Sequence, residues 1–340
     1  MVNETVFTMD SSSIKVGKGA TREIGQDMAA LGAKRVMVVT DSNLAQLSPV
    51  QVTMKALKAA RIDAVLYDRV RVEPTDSSFR DAIDFAIDGN FDGFVAVGGG
   101  STIDTAKVAN LYSTYPDDFL AYVNAPIGAG KSVPGVVKPL IAIPTTAGTG
   151  SETTGVAIFD YEELHVKTGI SSRRLRPILG IIDPDNTKTQ PPMVAACAAL
   201  DILCHAIESL TTLPYTARPA PKNASLRPTY QGANPISDIW TAKAIELVTQ
   251  YLLPAIHDPD DDNARMQLLL AATYAGIGFG NSGVHLPHAM AYPVAGMVRE
   301  YRPADYAIDH PIVPHGMSVI LNAPAVFRFT ASATPQAHLY

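Results

Sequence analysis

The stretch Gly93-Phe-Val-Ala-Val-Gly-Gly-Gly-Ser-Thr-Ile-Asp104 runs from an apolar segment straight into three glycines and a serine. The apolar part predicts a strand buried on both faces, and the glycines predict a tight turn into a helix. Backbone N–H groups at such a helix start suit a pyrophosphate. The turn lacks G-x-G-x-x-G spacing, so a plain strand-to-helix turn capped by Ser101 is the competing reading.

The same rhythm extends to both sides. Arg35-Val-Met-Val-Val-Thr40, Ala64-Val-Leu-Tyr67, Leu140-Ile-Ala-Ile143 and Ile178-Leu-Gly-Ile-Ile182 alternate with helical stretches, which predicts βαβ units and a parallel sheet. A second glycine-rich turn, Thr145-Thr-Ala-Gly-Thr-Gly-Ser-Glu152, follows the next strand. Two such turns at the carboxyl ends of parallel strands would face one ligand crevice. Asp41 closes the first strong strand, where a carboxylate accepts ribose hydroxyls and repels a 2′-phosphate, favouring NAD over NADP. A turn-capping role explains it equally well.

After Pro184 the strands stop and helical patterns cover 193–210, 237–251 and 263–278, with further helix starts near Pro287 and Pro314. The expected architecture is an α/β dinucleotide-binding domain with a parallel sheet over 1–184, then an all-α metal and substrate domain over 185–340. Residues 211–235 hold five prolines together with Arg218 and Arg227, and read as a functional lid or an insertion. The chain stops where Thr334-Pro-Gln begins a helix, so its C-terminus is expected to be cut short.

Composition narrows the partners. The 340 residues carry a net charge of −6 and no basic run, which argues against a nucleic-acid face or an anionic membrane surface. No signal-peptide pattern is present and no apolar run reaches the roughly 18 residues of a membrane span. The expectation is a soluble cytoplasmic protein, or a mitochondrial-matrix one if this is a mature eukaryotic form, that meets small molecules and a second copy of itself as a homodimer. Cys197 and Cys204 read as buried reduced thiols.

Asp201 and His205 lie four residues apart on one helical face, with Glu208 a turn further and able to orient His205 from behind. Seven of the eight histidines occur at or after His205, and His285, His288, His310 and His315 sit near late helix starts. Two of these added to Asp201 and His205 would give three nitrogens and one oxygen, a set that suits iron(II) or zinc.

Taken together, Gly98-Gly-Gly-Ser101, Pro144-Thr-Thr-Ala-Gly-Thr-Gly-Ser-Glu152, the Asp201/His205/Glu208 helix, His288-Ala-Met-Ala-Tyr-Pro293 and Val313-Pro-His-Gly316 resemble the iron-containing alcohol dehydrogenases, from about Val6 to the chain end. The resemblance implies a dehydroquinate synthase-like architecture. It implies a divalent metal, Fe2+ before Zn2+, on Asp201, His205, His288 and His315. It also places Gly99, Gly100, Ser101, Thr145, Thr146 and Lys167 at NAD, with Asp41 at the adenosine ribose.

One departure is Tyr292, where many alcohol-oxidising relatives have a second histidine used as a proton relay. Tyr292, Leu213-Pro-Tyr215, residues 230–240 and residues 276–281 are similar to one subgroup, the hydroxyacid-oxoacid transhydrogenases. That resemblance implies hydride transfer from 4-hydroxybutyrate to 2-oxoglutarate with NAD retained as the shuttle. A carboxylated substrate needs a fixed cation, for which Arg218 and Arg227 are the candidates. The alternatives are an ordinary iron-dependent NAD alcohol dehydrogenase and a non-catalytic nucleotide- or metal-binding relative.

Overall fold

The structure is a computed structural model that describes residues 2–258 and 260–339. Residues 12–146 and 151–190 form one compact unit, and residues 1–11, 147–150 and 191–340 form the other. The division is therefore not a single cut after residue 184.

The first unit contains β1 (Ser13–Val16), α1 (Ile24–Ala30), β2 (Arg35–Val39), α2 (Ser48–Ala59), β3 (Asp63–Tyr67), α3 (Asp76–Gly89), β4 (Gly93–Gly98), α4 (Gly100–Thr114), β5 (Leu140–Pro144), β6 (Val156–Tyr161), β7 (Val166–Ser171) and β8 (Leu179–Ile182). Six strands make a parallel sheet in the order β1-β8-β5-β4-β2-β3. Their apolar runs are continuous because both faces are covered. Val36, Val38, Val95, Val97, Ile141 and Ile143 pack with Ile24 and Met28 of α1 and Val50 and Leu57 of α2. The alternate residues Met37, Val39, Phe94, Ala96, Leu140 and Ala142 pack with Ala82 and Ala86 of α3 and Ile103, Ala106 and Ala109 of α4.

Strand order reverses between β2 and β4, since β3 lies on one side of β2 and β4 on the other. Open α/β sheets bind ligands beyond the carboxyl ends of the strands at such a switch point. Asp41 follows β2 and the first glycine turn follows β4, so both flank it.

Two elements escaped the sequence reading. β1 is a four-residue edge strand with exposed ends, too short to show an apolar run. β6 and β7 form an antiparallel hairpin apart from the main sheet, its apolar residues interrupted by Asp160, Lys167 and Thr168.

The second unit contains α5 (Pro192–Thr211), α6 (Pro235–His257), α7 (Asp262–Ser282), α8 (Leu286–Gly296), α9 (His315–Ile320), α10 (Ala323–Thr330) and α11 (Pro335–His338). The Asn234 side chain accepts from the N–H groups of Ile236 and Ser237 to start α6, and Asp261 accepts from Ala264 to start α7. By length and apolar composition α5 could cross a membrane, contrary to the sequence expectation, but over half of that window is buried. Its buried positions include Asp201, His205 and Glu208, and it packs against α6, α7 and α9. Here it is a core helix. Residues 2–11 join this unit through Thr8 N–H donating to Gln231 Oε1 at 2.8 Å and Asp10 N–H donating to Asn281 Oδ1 at 3.0 Å.

Candidate metal centre and cofactor turns

Helix α5 supplies Asp201 and His205 one turn apart, α8 supplies His288 and α9 begins with His315. Helix α9 lies close to α5 because residue 316 is glycine: a Cβ there would stand 1.9 Å from the Cys197 carbonyl oxygen. Asp201, His205, His288 and His315 each direct one ligand-type atom into a common space, all within 4.8 Å of one another. His285 and His310 go elsewhere. His285 Nε2 meets Thr211 Oγ1 at 2.8 Å, and His310 Nδ1 meets the exposed Asp309 at 2.8 Å.

The donor set passes a physical test for a cation. Asp201 Oδ1, His205 Nδ1 and His288 Nε2 are buried with no hydrogen-bond partner. Buried polar atoms without partners are costly, so three converging ones point to a missing positive centre. Asp201 Oδ1 lies 3.5 Å from His288 Nε2 and 3.8 Å from His315 Nε2, and Asp201 Oδ2 lies 3.6 Å from His205 Nδ1. Burial pushes the Asp201 carboxyl up, but the imidazoles of His205, His315 and His288 outweigh it and hold the group well below the usual carboxylate range. Burial also drives His205 well below an ordinary imidazole, against the pull of Asp201. Three nitrogens and one carboxylate oxygen suit a borderline divalent ion.

Glu208 serves a different histidine from the one expected. Its fully buried carboxylate takes the Nδ1–H of His288 at 2.6 Å and the backbone N–H of His285 at 2.7 Å. Nδ1 being engaged, Nε2 of His288 is left as the ligand atom, and the same carboxylate caps the start of α8. His205 is instead fixed by stacking, at 4.0 Å on Phe279 and 4.4 Å on His288. The i, i+7 spacing from Asp201 to Glu208 was visible, but the choice of histidine was not. Tyr292 is half-buried one turn after His288 on α8.

In the first unit the first glycine turn adjoins Thr145 and Thr146, which lead into the second. Thr145 N–H donates to the Gly98 carbonyl at 3.1 Å, and a Cβ on Gly99 would meet Thr146 Oγ1 at 3.1 Å. Gly99 gives α4 no side-chain cap, and Thr102 N–H turns back to the Gly99 carbonyl at 3.1 Å, so the N–H groups of Gly100 and Ser101 are those that the helix start presents to an anion. Ser101 is not the cap: its hydroxyl accepts from Glu73 N–H at 3.2 Å.

Glu73 is a residue the sequence reading missed. It has φ +55°, outside the region most side chains adopt, and it ties Ser101 to Lys167, whose ammonium it holds at 2.7 Å. Asp160 holds the same ammonium at 3.2 Å. Burial lowers the Lys167 pKa, but the two carboxylates outweigh it and raise it above the usual lysine value. Asp41 Oδ1 accepts from Asn43 and Leu44 N–H at 2.9 and 3.1 Å, so one oxygen serves its own turn.

The candidate arginines separate. Arg227 Nε is 3.0 Å from Glu4 Oε2, both side chains largely buried. Arg218 is half-buried and donates through Nη1 to the Tyr230 carbonyl at 2.8 Å, and burial lowers its pKa with no carboxylate opposing.

A doubly covered parallel sheet with a glycine turn at a helix start, together with one aspartate and three histidines converging on a common space, is the arrangement of a protein built to take a nucleotide and a metal ion. The description "Iron-containing alcohol dehydrogenase" matches residues 11–184, and "Fe-containing alcohol dehydrogenase family, C-terminal" matches residues 229–338. The chain belongs to the iron-containing alcohol dehydrogenase family and is an oxidoreductase.

It is 58% identical over 335 residues to the mitochondrial hydroxyacid-oxoacid transhydrogenase of Bos taurus, covering 98% of this chain and 72% of that protein. The Xenopus tropicalis protein of the same name is 57% identical over 338 residues, covering 99% and 73%. Among solved structures, a 1,3-propanediol oxidoreductase superposes with a TM-score of 0.82 at 27% identity, over 97% of this chain and 77% of that one. The sulfoacetaldehyde reductase of Bifidobacterium kashiwanohense, solved in complex with NAD+, has a TM-score of 0.78 at 26% identity, covering 96% and 77%.

Proposed function

We propose that this chain passes hydride from a hydroxy acid, 4-hydroxybutyrate, to an oxo acid, 2-oxoglutarate, yielding succinic semialdehyde and 2-hydroxyglutarate. NAD stays on the protein as the shuttle. The observation that carries the reading is identity of 57–58% to hydroxyacid-oxoacid transhydrogenases over 98% or more of the chain. Their mitochondrial location supports the same compartment here.

Asp201, His205, His288 and His315 are the residues that would hold a divalent metal, with iron first by family and zinc compatible with the donors. When bound, such an ion would supply Lewis acidity toward a substrate hydroxyl, and NAD would supply the hydride acceptor and donor. The chain's own contribution is preorganisation. Glu208 fixes the ring of His288, Phe279 fixes that of His205, and Asp201 stays ionised. For NAD, the first turn of α4 offers N–H groups to a pyrophosphate at Gly99, Gly100 and Ser101. Thr145, Thr146 and Asp41 border the same strand ends, and Lys167, anchored by two carboxylates, offers a fixed donor to a ribose hydroxyl better than to a phosphate.

Exchange between two substrates releases no net proton, because the proton lost by the hydroxy acid equals the one gained by the oxo acid. An ordinary dehydrogenase must release one each turnover. A phenol is a poorer proton relay at neutral pH than an imidazole, so Tyr292 in place of a histidine suits the closed exchange. Arg218, with no carboxylate partner among the described residues, is the better candidate for a substrate carboxylate, and Arg227 is already paired.

A second reading, an ordinary NAD alcohol dehydrogenase, draws on the propanediol oxidoreductase likeness. One assay decides between them. Purified protein receives 4-hydroxybutyrate deuterated at C4, with or without 2-oxoglutarate. Deuterium at C2 of 2-hydroxyglutarate without accumulation of free NADH is the expected result. Rapid NADH release in the absence of oxo acid, with no labelled 2-hydroxyglutarate formed in its presence, would sink the transhydrogenase reading.

A further inference from the structure

Lys107 is a lysine with no exposed side-chain surface, about two turns into α4 from the first glycine turn. Its ammonium meets Ser151 Oγ at 2.6 Å, the Val156 carbonyl at 2.8 Å, Asp104 Oδ1 at 3.2 Å and Thr154 Oγ1 at 3.3 Å. Ser151 Oγ in turn donates to Asp104 Oδ1 at 2.6 Å, and Asp104 Oδ2 accepts from Ile158 N–H at 2.9 Å. Lys107, Asp104 and Ser151 thus close a ring of hydrogen bonds. One side of the ring is α4, which begins at the first glycine turn. The other side is the segment that leaves the second glycine turn at Ser151.

We propose that Lys107 is a positioning residue that fixes Ser151, where the chain leaves the second glycine turn, against the helix that starts at the first, and thereby sets the protein's grip on NAD. The inference rests on the assignment of those turns to the cofactor. Its physical ground is directional. A buried ammonium surrounded by acceptors on two segments holds them at one separation and orientation, which an apolar side chain of the same volume would not do. Stability alone does not require the charge, since well-packed apolar replacements of buried ion pairs are often neutral or better. Burial holds the Lys107 pKa below the usual lysine value, with Asp104 opposing it, and four acceptors surround the nitrogen.

The test uses the full chain with Lys107→Met, Asp104→Leu/Lys107→Met and Ser151→Ala. NAD+ affinity is measured by calorimetry, alongside thermal unfolding and metal content. The expected result for Lys107→Met is at least tenfold weaker NAD+ binding by the folded protein, with metal content at the parental level. The double variant, packed but without the ring, should stay equally weak. Ser151→Ala, which keeps the other acceptors, should lose several-fold in the same direction, and it carries the test if Lys107→Met does not fold. Unchanged affinity with only a lower unfolding temperature would overturn the proposal, as would recovery of parental affinity in the double variant. Failure of the parent itself to bind NAD+ would instead remove the cofactor assignment on which the inference stands.

Discussion

The two candidate sites are built in opposite ways. In the helical unit, Asp201, His205 and His288 leave buried polar atoms without hydrogen-bond partners, and four donor atoms crowd one small space. In the α/β unit the charged side chains are already spoken for: Lys167 by Glu73 and Asp160, and one oxygen of Asp41 by its own turn. What the turns there offer a phosphate is backbone and glycine. A metal centre is therefore marked by unsatisfied side chains, because only the ion completes them. A nucleotide site is marked by backbone geometry, because phosphates are met by N–H groups at a helix start.

The largest expected effect tests the first half of that contrast. Asp201→Ala should retain no metal after dialysis and should lose hydride transfer to background, while NAD+ affinity stays near the parent. Elemental analysis and calorimetry read both. Full metal retention by this variant would mean that the cluster is not the binding site.

Next in size is the separation of the two arginines. Arg218→Ala should cost on the order of 2 to 5 kcal/mol in transition-state binding of carboxylated substrates and little with a simple alcohol. Arg227→Ala strands Glu4, and should lower the unfolding temperature while affecting charged and uncharged substrates alike. Comparing kcat/KM on both substrate types for both variants checks the pair. Equal losses from Arg218→Ala on the two types would assign it to structure as well.

A smaller effect belongs to Glu208. Its amide variant Glu208→Gln can donate to Nδ1 of His288 and so place the ring proton on Nε2, the ligand atom. Metal affinity measured by chelator competition should fall about 10- to 100-fold. The same substitution in a His288→Ala background should add nothing, and an additive loss there would separate Glu208 from His288.

The smallest change is expected at Asp41. Asp41→Gly removes a carboxylate that is only partly free for a ribose, so the NADP-to-NAD preference should rise by about tenfold at most. Dissociation constants for the two cofactors give the ratio, and an unchanged ratio leaves Asp41 as a turn residue alone.

Much of this was legible without coordinates. The continuous apolar runs at Arg35–Val39, Gly93–Gly98 and Leu140–Pro144 became neighbouring central strands, because a strand covered on both faces has no polar alternation to obscure it. Asp201 and His205 share a face because helical periodicity is local, and Pro287 opens α8 because proline suits a first turn. Tertiary structure decided whatever depends on partners far along the chain. Glu208 reaches His288 rather than His205, Arg227 is consumed by Glu4, 223 residues away in the sequence, and Ser101 is held by Glu73 instead of capping α4. Periodicity records which face is buried. It does not record which of several buried groups will lie opposite, since that is fixed by how helices and loops pack after the local elements have formed.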